Sequence, residues 1–277
     1  MAEHEATHEA VQEAAGHGAE QFDFVHMFHH LEDQVVIPLP AVQVGGLTVD
    51  LSITKAVLML WTSGLLSLAL FGLVARRLSR SDVPRGGLTN LFEAMILFVR
   101  NEMVYDLMGK ETGRKFTPYF LTLFFFILFC NLLGLVPFMF TATAQVAVTG
   151  GLALLTFLLV QGSGIKEQGL GTYLRNLVPP GLPVFLVPIM IPIEIVGHLI
   201  KPFALTIRLF ANMTAGHVVI LSMFGLIFLF RTLAVVVPAI AFVLFISMLE
   251  LFVAFLQTYI FVFLSILFVN MAVHPEH

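Results

Sequence analysis

Apolar residues fall in long unbroken runs separated by short charged stretches, a pattern that predicts membrane-crossing helices rather than the one-sided elements of a soluble domain. The first run covers 56–75 and is stopped at once by Arg76, Arg77 and Arg80. Over 88–108 apolar residues recur at helical spacing among Glu93, Arg100, Glu102 and Asp106, which predicts an amphipathic helix lying in the membrane interface. Pro118 opens a second span over 118–140. A short Thr/Ala/Gln turn then leads to a third over 146–161, and so brief a connection predicts an antiparallel hairpin. Beyond the Pro179-Pro180-Gly181 cluster lie two apolar stretches, 183–230 and 234–271. Each exceeds the roughly 20 residues a perpendicular crossing needs. Both are therefore expected to be tilted, kinked at Pro188, Pro192 or Pro202, or partly in the membrane plane.

The resulting expectation is an all-α integral membrane protein. It divides into a tail (1–55), a first span (56–75), a basic segment with the interfacial helix (76–116), a hairpin (117–163), a loop (164–182), two long tilted helices (183–271) and a C-terminal end (272–277). Composition agrees: 58% of residues are hydrophobic and 12% charged, against about 25% charged in a soluble domain, and the mean hydropathy is +0.94. Ten of the 14 lysines and arginines fall on one side of this map, after the first and third spans. By the positive-inside rule that side is cytoplasmic, so the N-terminus is outside and the C-terminus inside. The first residues lack the basic start and apolar run of a signal peptide. The acidic, histidine-bearing tail around His4, His8 and His17 has the spacing of no closed metal site and reads as a solvated segment. The single cysteine, Cys130, lies in an apolar run.

Charge enters the picture most sharply at Arg208, which interrupts the apolar stretch 191–230. Arginine keeps its proton in proteins, and at the bilayer centre it costs about 3 kcal/mol on insertion scales, so an intramembrane arginine points to function. At 3.6 residues per turn Glu194, His198, Lys201, Arg208 and Asn212 fall within about 80° of one another, a polar stripe along one helix face. His217 lies nine residues past Arg208, half a turn round. Glu250 and Gln257, seven apart, share a face of the last span, and His217 meets Glu250 if the two spans pack antiparallel. A carboxylate and an imidazole inside a membrane suit proton transfer. Blander readings stand beside this one. Lys201 could snorkel, Asn212 and Gln257 could hold helices together, and Arg208 could pair with Glu194. No phosphate loop, zinc motif or nucleophile elbow occurs, so the driving energy comes from an ion gradient or from partners.

The segment IRLFANMTAGH (207–217), preceded by KPFALT and followed by LQTYIF (256–261), resembles subunit a of the F-type ATP synthase membrane sector. HHL at 29–31, NLLGLVP at 131–137, IKEQG at 165–169 and the basic segment after the first span are similar to the same family, and only the first 20 or so residues carry no likeness. The resemblance implies a stator with two offset aqueous half-channels against a rotating c-ring, each ring subunit carrying one essential carboxylate. Peripheral-stalk b subunits and the lipid bilayer are the further partners it implies, with no cofactor, metal or nucleic acid.

Residue by residue, Arg208 matches the family's invariant arginine, Asn212 its asparagine one turn on, Gln257 the glutamine of the last helix, and Glu194 the acid of the cytoplasmic half-channel. His217 and Glu250 occupy the places of the proton-entry pair, with the two types exchanged relative to some bacterial members. His198 and Lys201 are supporting polar groups. The implied function is proton translocation coupled to ring rotation and ATP synthesis, in a non-catalytic subunit of the proton-transporting ATPase. A bacterial inner membrane fits the outside N-terminal tail best, and the histidine and glutamate placement leaves a mitochondrial relative open. The alternatives are a sodium-coupled version, a proton-coupled secondary transporter, against which the lack of an internal repeat weighs, and a purely structural membrane subunit.

Overall fold

In the computed structural model the described residues are 34–40, 42–44, 47–49, 52–78, 86–136, 141–176, 187–230 and 232–274. The histidine-bearing tail, His29, Arg80, Arg85, the Pro179-Pro180-Gly181 cluster and Arg231 lie outside them. Among the described residues helices dominate, and five of them are long and apolar enough to cross a membrane. The chain is an all-α integral membrane protein, with two small strand pairs ahead of its first span. Strand β1 (Val35–Ile37) pairs antiparallel with β4 (Ile53–Thr54), and β2 (Val42–Val44) with β3 (Leu47–Val49). The sequence reading treated this stretch only as tail, although Val-Gln-Val and Leu-Thr-Val flanking Gly45-Gly46 are a hairpin signal.

Helix α1 (Lys55–Leu78) follows directly and packs on the middle of the chain, where its Phe71 meets Phe125 edge to face at 5.1 Å. Helix α2 (Gly87–Phe98) passes without a break into a π-helical turn (Val99–Tyr105) and then α3 (Asp106–Gly134). The amphipathic pattern is visible here. Val99, Met103 and Val104 are buried, whereas Glu102 and Asp106 are exposed. Only Gly109, with φ 72 and ψ 167, leaves helical conformation, a region that costs an L side chain dearly. The helix resumes just after Gly109, and Pro118 stands inside it rather than at its start. Gly113 lets this part fold back closely, since a Cβ there would press on Tyr105 and Val104.

A single 3₁₀ turn (Ala142–Ala144) connects to α4 (Val146–Gln168), and short α5 (Leu170–Asn176) follows. The arms α3 and α4 touch through Tyr119 and Thr156, whose hydroxyls are 3.2 Å apart, and through a Lys115–Glu167 ion pair at 3.0 Å. The last two helices, α6 (Val187–Phe230, 44 residues) and α7 (Leu233–Val273, 41 residues), pack on each other. Helix α4 packs against both, and α3 against α7. At 1.5 Å per residue each is about 60 Å long, twice the hydrocarbon thickness, so each must tilt, curve or leave the membrane core. Helix α6 runs through Pro192 and Pro202.

The core lies where α3 and α7 meet, around Phe120, Phe125, Phe261, Val262 and Ile266, all fully buried. Large apolar side chains on the other faces, such as Phe203, Leu244, Phe245 and Met248, are exposed, as expected of surfaces that lipid or partner helices cover.

Candidate functional site

Helices α6 and α7 run antiparallel in one register, and that register assembles the polar groups. The Lys201 ammonium lies 5.2 Å from the centre of the Phe268 ring, and Asn212 Nδ2 donates to Gln257 Oε1 at 2.8 Å. His217 Nδ1 stands 4.0 Å from Glu250 Oε1. The eleven residues from Lys201 to Asn212 are matched by eleven back from Phe268 to Gln257, and the next five, to His217, by seven back to Glu250. The equal first intervals are what two antiparallel helices require, since both rise 1.5 Å per residue, and the two-residue excess in the second is about 3 Å of rise.

The polar groups thereby separate into two levels. Arg208 and Asn212 share a face one turn apart. Arg208 is half-buried and Asn212 exposed, held from behind by the buried Gln257. In register, Arg208 is level with the apolar Phe261, and among the described residues no hydrogen bond or ion pair engages its guanidinium. Glu194 does not answer for it. The two lie 14 residues apart on one helix, about 21 Å along the axis. Further along, and half a turn round, His217 and Glu250 form the second level.

Glycine makes room for that second pair. The Glu250 carboxylate lies against Gly216, where any Cβ would overlap it. Two other residues complete the setting. The His217 Nε2 is hydrogen-bonded to the Thr141 hydroxyl from the 3₁₀ turn, and Thr141 also donates to the Gly134 carbonyl at 3.2 Å. Beside it the buried Asn131 ties three elements together. Its Nδ2 donates to Ala254 O and Thr258 Oγ1, each at 3.3 Å, and its Oδ1 accepts from Thr143 Oγ1 at 2.9 Å.

Lys201 is drawn over the Phe268 ring, in a cation–π contact, beside a small cavity lined by Thr156, Gln161 and Leu205. Gln161 is in turn bonded to the Tyr173 hydroxyl. Glu194 and His198 lie on α6, with side chains outside those described. The Thr214 hydroxyl and Gln257 Nε2 are buried without a partner among the described residues.

None of Asn131, Thr141, Thr143, Thr258 and Gly216 was given a role in the sequence reading, although Asn131, Thr258 and Gly216 stand within the family-like segments 131–137, 256–261 and 207–217. For Thr141 and Thr143 the only signal was a cluster of hydroxyls in a turn read as a connector. The Asn131 network supports the whole arrangement, and Asn131→Leu is expected to lower stability by about 1–3 kcal/mol, the penalty for stranding buried partners. A falling temperature of chain release from the detergent-solubilised assembly would register it, whereas an unchanged one would show that the network carries no such load.

Comparisons with known proteins find a likeness along most of the chain. Residues 57–270 match the family model described as ATP synthase A chain. The chain is 49% identical to the ATP synthase subunit a of Myxococcus xanthus over 82% of its own length and 75% of the relative's. It is 43% identical to that of Chloroherpeton thalassium, over 94% and 80% respectively. With the subunit a of Anaeromyxobacter dehalogenans the identity is 45%, over 93% and 73%.

Proposed function

The chain belongs to the ATP synthase A chain family, and from that premise we propose that Arg208 is the coupling cation and the His217–Glu250 pair the outer proton relay of an F-type ATP synthase. Its function is that of the family's a subunit, proton translocation through the membrane sector in support of ATP synthesis. It works within a complex of ATP synthase subunits as a multi-pass membrane protein. A free-standing secondary transporter is not favoured by this membership. A sodium-coupled version is not favoured either, and two protonatable groups at the second level suit a proton path.

The observation that carries the reading is the separation of the two polar levels. About 13.5 Å along α6 and half a turn in azimuth divide Arg208 from His217. Between the His217–Glu250 pair and Arg208 the linking polar groups among the described residues are the amides of Gln257 and Asn212, and neither a carboxylate nor an imidazole stands there to carry a proton on. The proton needs a carrier, and in this reading the carrier is a carboxylate on a rotating c-ring. Once neutralised there, the carboxylate can face lipid cheaply. On completing the circle it meets the fixed guanidinium, which stabilises its ionised form, and the proton leaves past Glu194. Arg208 is half-buried, engaged by no carboxylate among the described residues, and so free to serve a carboxylate from outside the chain.

Gln257 and Asn212 hold the α6 face that presents Arg208. His198 and Lys201 support the inner end. The N-terminus outside, the cytoplasmic C-terminus, the bacterial inner membrane and the peripheral-stalk b subunits belong to the same proposal. They rest on the distribution of Lys and Arg and on the three bacterial relatives named above. The ATP-forming chemistry then takes place on other subunits.

The ring-facing surface is directly testable. Ala211 is exposed, between Arg208 and Asn212. Ala211→Cys is expected to form an oxidant-dependent disulfide with a cysteine placed one turn from the c-subunit carboxylate in the intact complex. Cys130, buried in α3, does not compete. If no position on the c subunit cross-links to this face in an assembled complex, the face does not meet the ring.

A further inference from the structure

Thr141 stands where the turn after α3 touches α6, 3% exposed. Its hydroxyl has two partners, the Gly134 carbonyl and His217 Nε2. Gly134 ends α3, so its carbonyl belongs to the last turn, where backbone acceptors have no helical donor. A carbonyl can only accept, and the Thr141 proton is therefore committed to Gly134. With that proton on Gly134, the oxygen is left as an acceptor toward His217, and the proton between them then resides on Nε2. A neutral imidazole carries one proton, so Nδ1 holds a lone pair, and Nδ1 is the nitrogen that faces Glu250.

We propose that Thr141 is a positioning residue that fixes the Nε2–H tautomer of His217, so that Nδ1, on the Glu250 side, is the only nitrogen that gains and loses a proton. This rests on the reading of His217 and Glu250 as the outer relay. A proton passed inward leaves the Glu250 carboxyl, breaking its O–H bond, and forms an N–H bond at Nδ1. The products are a carboxylate and an imidazolium, and both nitrogens of the imidazolium are donors. Thr141 remains a satisfied acceptor in both states, so its bond need not be rearranged as the proton comes and goes. Without the hydroxyl the imidazole can turn over or adopt the other tautomer, presenting N–H to Glu250 where a lone pair is needed.

The local packing fits a placed group. A Cβ on Gly134 would overlap the Thr141 side chain, and one on Gly216 would overlap the Glu250 carboxylate, so a glycine backs each end of the chain from Thr141 to Glu250. The 4.0 Å between Nδ1 and Oε1 is too short for an interposed water and closes to hydrogen-bond length by a small side-chain movement.

Packing and positioning predict opposite orders for two conservative replacements. Thr141→Val keeps the shape and loses the oxygen, whereas Thr141→Ser keeps the oxygen and loses the methyl group. In inverted vesicles bearing the assembled complex, ATP-driven acidification is expected to fall about five- to tenfold in the valine variant, the scale of one lost hydrogen bond. The serine variant is expected to retain more than half. Should the valine variant fail to assemble, Thr141→Ala against Thr141→Ser asks the same question, because these differ by one oxygen. Valine equal to wild type, or serine no better than alanine, overturns the proposal. His217→Ala in the same assay separates the two layers of argument. If it pumps normally, the outer-relay reading falls and this inference with it. If it is impaired while Thr141→Val is not, only the role of Thr141 falls.

Discussion

Replacing Arg208 by alanine is expected to lower both ATP synthesis and ATP-driven proton pumping about 10²-fold or more, with the complex still assembled. An ionised carboxylate near the bilayer midplane without a partner costs about 3 kcal/mol on insertion scales, and each 1.4 kcal/mol is tenfold in rate. In wild type the guanidinium removes that cost as the ring carboxylate passes, since a charge-assisted, bidentate pair is among the strongest contacts available. In the variant the carboxylate keeps its proton, so the proton is not released and rotation is uncoupled from flow. Arg208→Lys tests the geometry separately. Charge is retained and the planar fork lost, so function is expected to stay well below half of wild type. The measurement is acidification of inverted vesicles, with synthesis under an imposed gradient. Normal coupled pumping by an assembled Arg208→Ala complex would remove Arg208 from the ring interface and return it to a structural role.

The second large effect concerns the outer pair. Glu250→Gln keeps the shape of a side chain that lies against Gly216 and faces His217, but it can carry no proton. Loss of an acid–base group in a transfer step typically costs 10²–10⁴-fold, and a fall of at least about tenfold in pumping is expected after allowing for water as a substitute carrier. Exchanging the types, with His217→Glu and Glu250→His together, is expected to recover more activity than either single replacement allows, because one acid and one imidazole still face each other. A double variant no better than the product of the singles would show that the two residues act independently and form no relay.

The Arg208 and Glu250 predictions differ in how far their basis could be read without a structure. An arginine inside a 40-residue apolar stretch is legible anywhere, because the cost of a charge in hydrocarbon does not depend on tertiary detail. The grouping of Arg208 with Asn212, and of Glu250 with Gln257, follows equally from the fixed 100° per residue of a helix. Apolar runs and basic stops likewise marked the spans, because length and hydropathy decide which helices can cross a membrane. Gly109 and Pro118 show the limit of such local signals. Both are helix breakers on paper, yet the chain turns at Gly109, where φ is positive, and continues through Pro118.

What the sequence by itself determined is therefore what depends on one helix at a time, namely the stretches apolar and long enough to cross a membrane, the charge within one of them and the face each polar group occupies. Tertiary structure alone decided what lies opposite each face. Helical periodicity says nothing about how far one apolar helix slides along another. Only packing set the axial offset that brings His217 to Glu250, Asn212 to Gln257 and Lys201 to Phe268. Packing also carried Thr141, from a turn read as a connector, and Asn131, from the end of a helix, into the heart of the polar network. Close approach at Gly134 and Gly216 made that possible, and a missing side chain advertises nothing until the neighbour that fills its space is known.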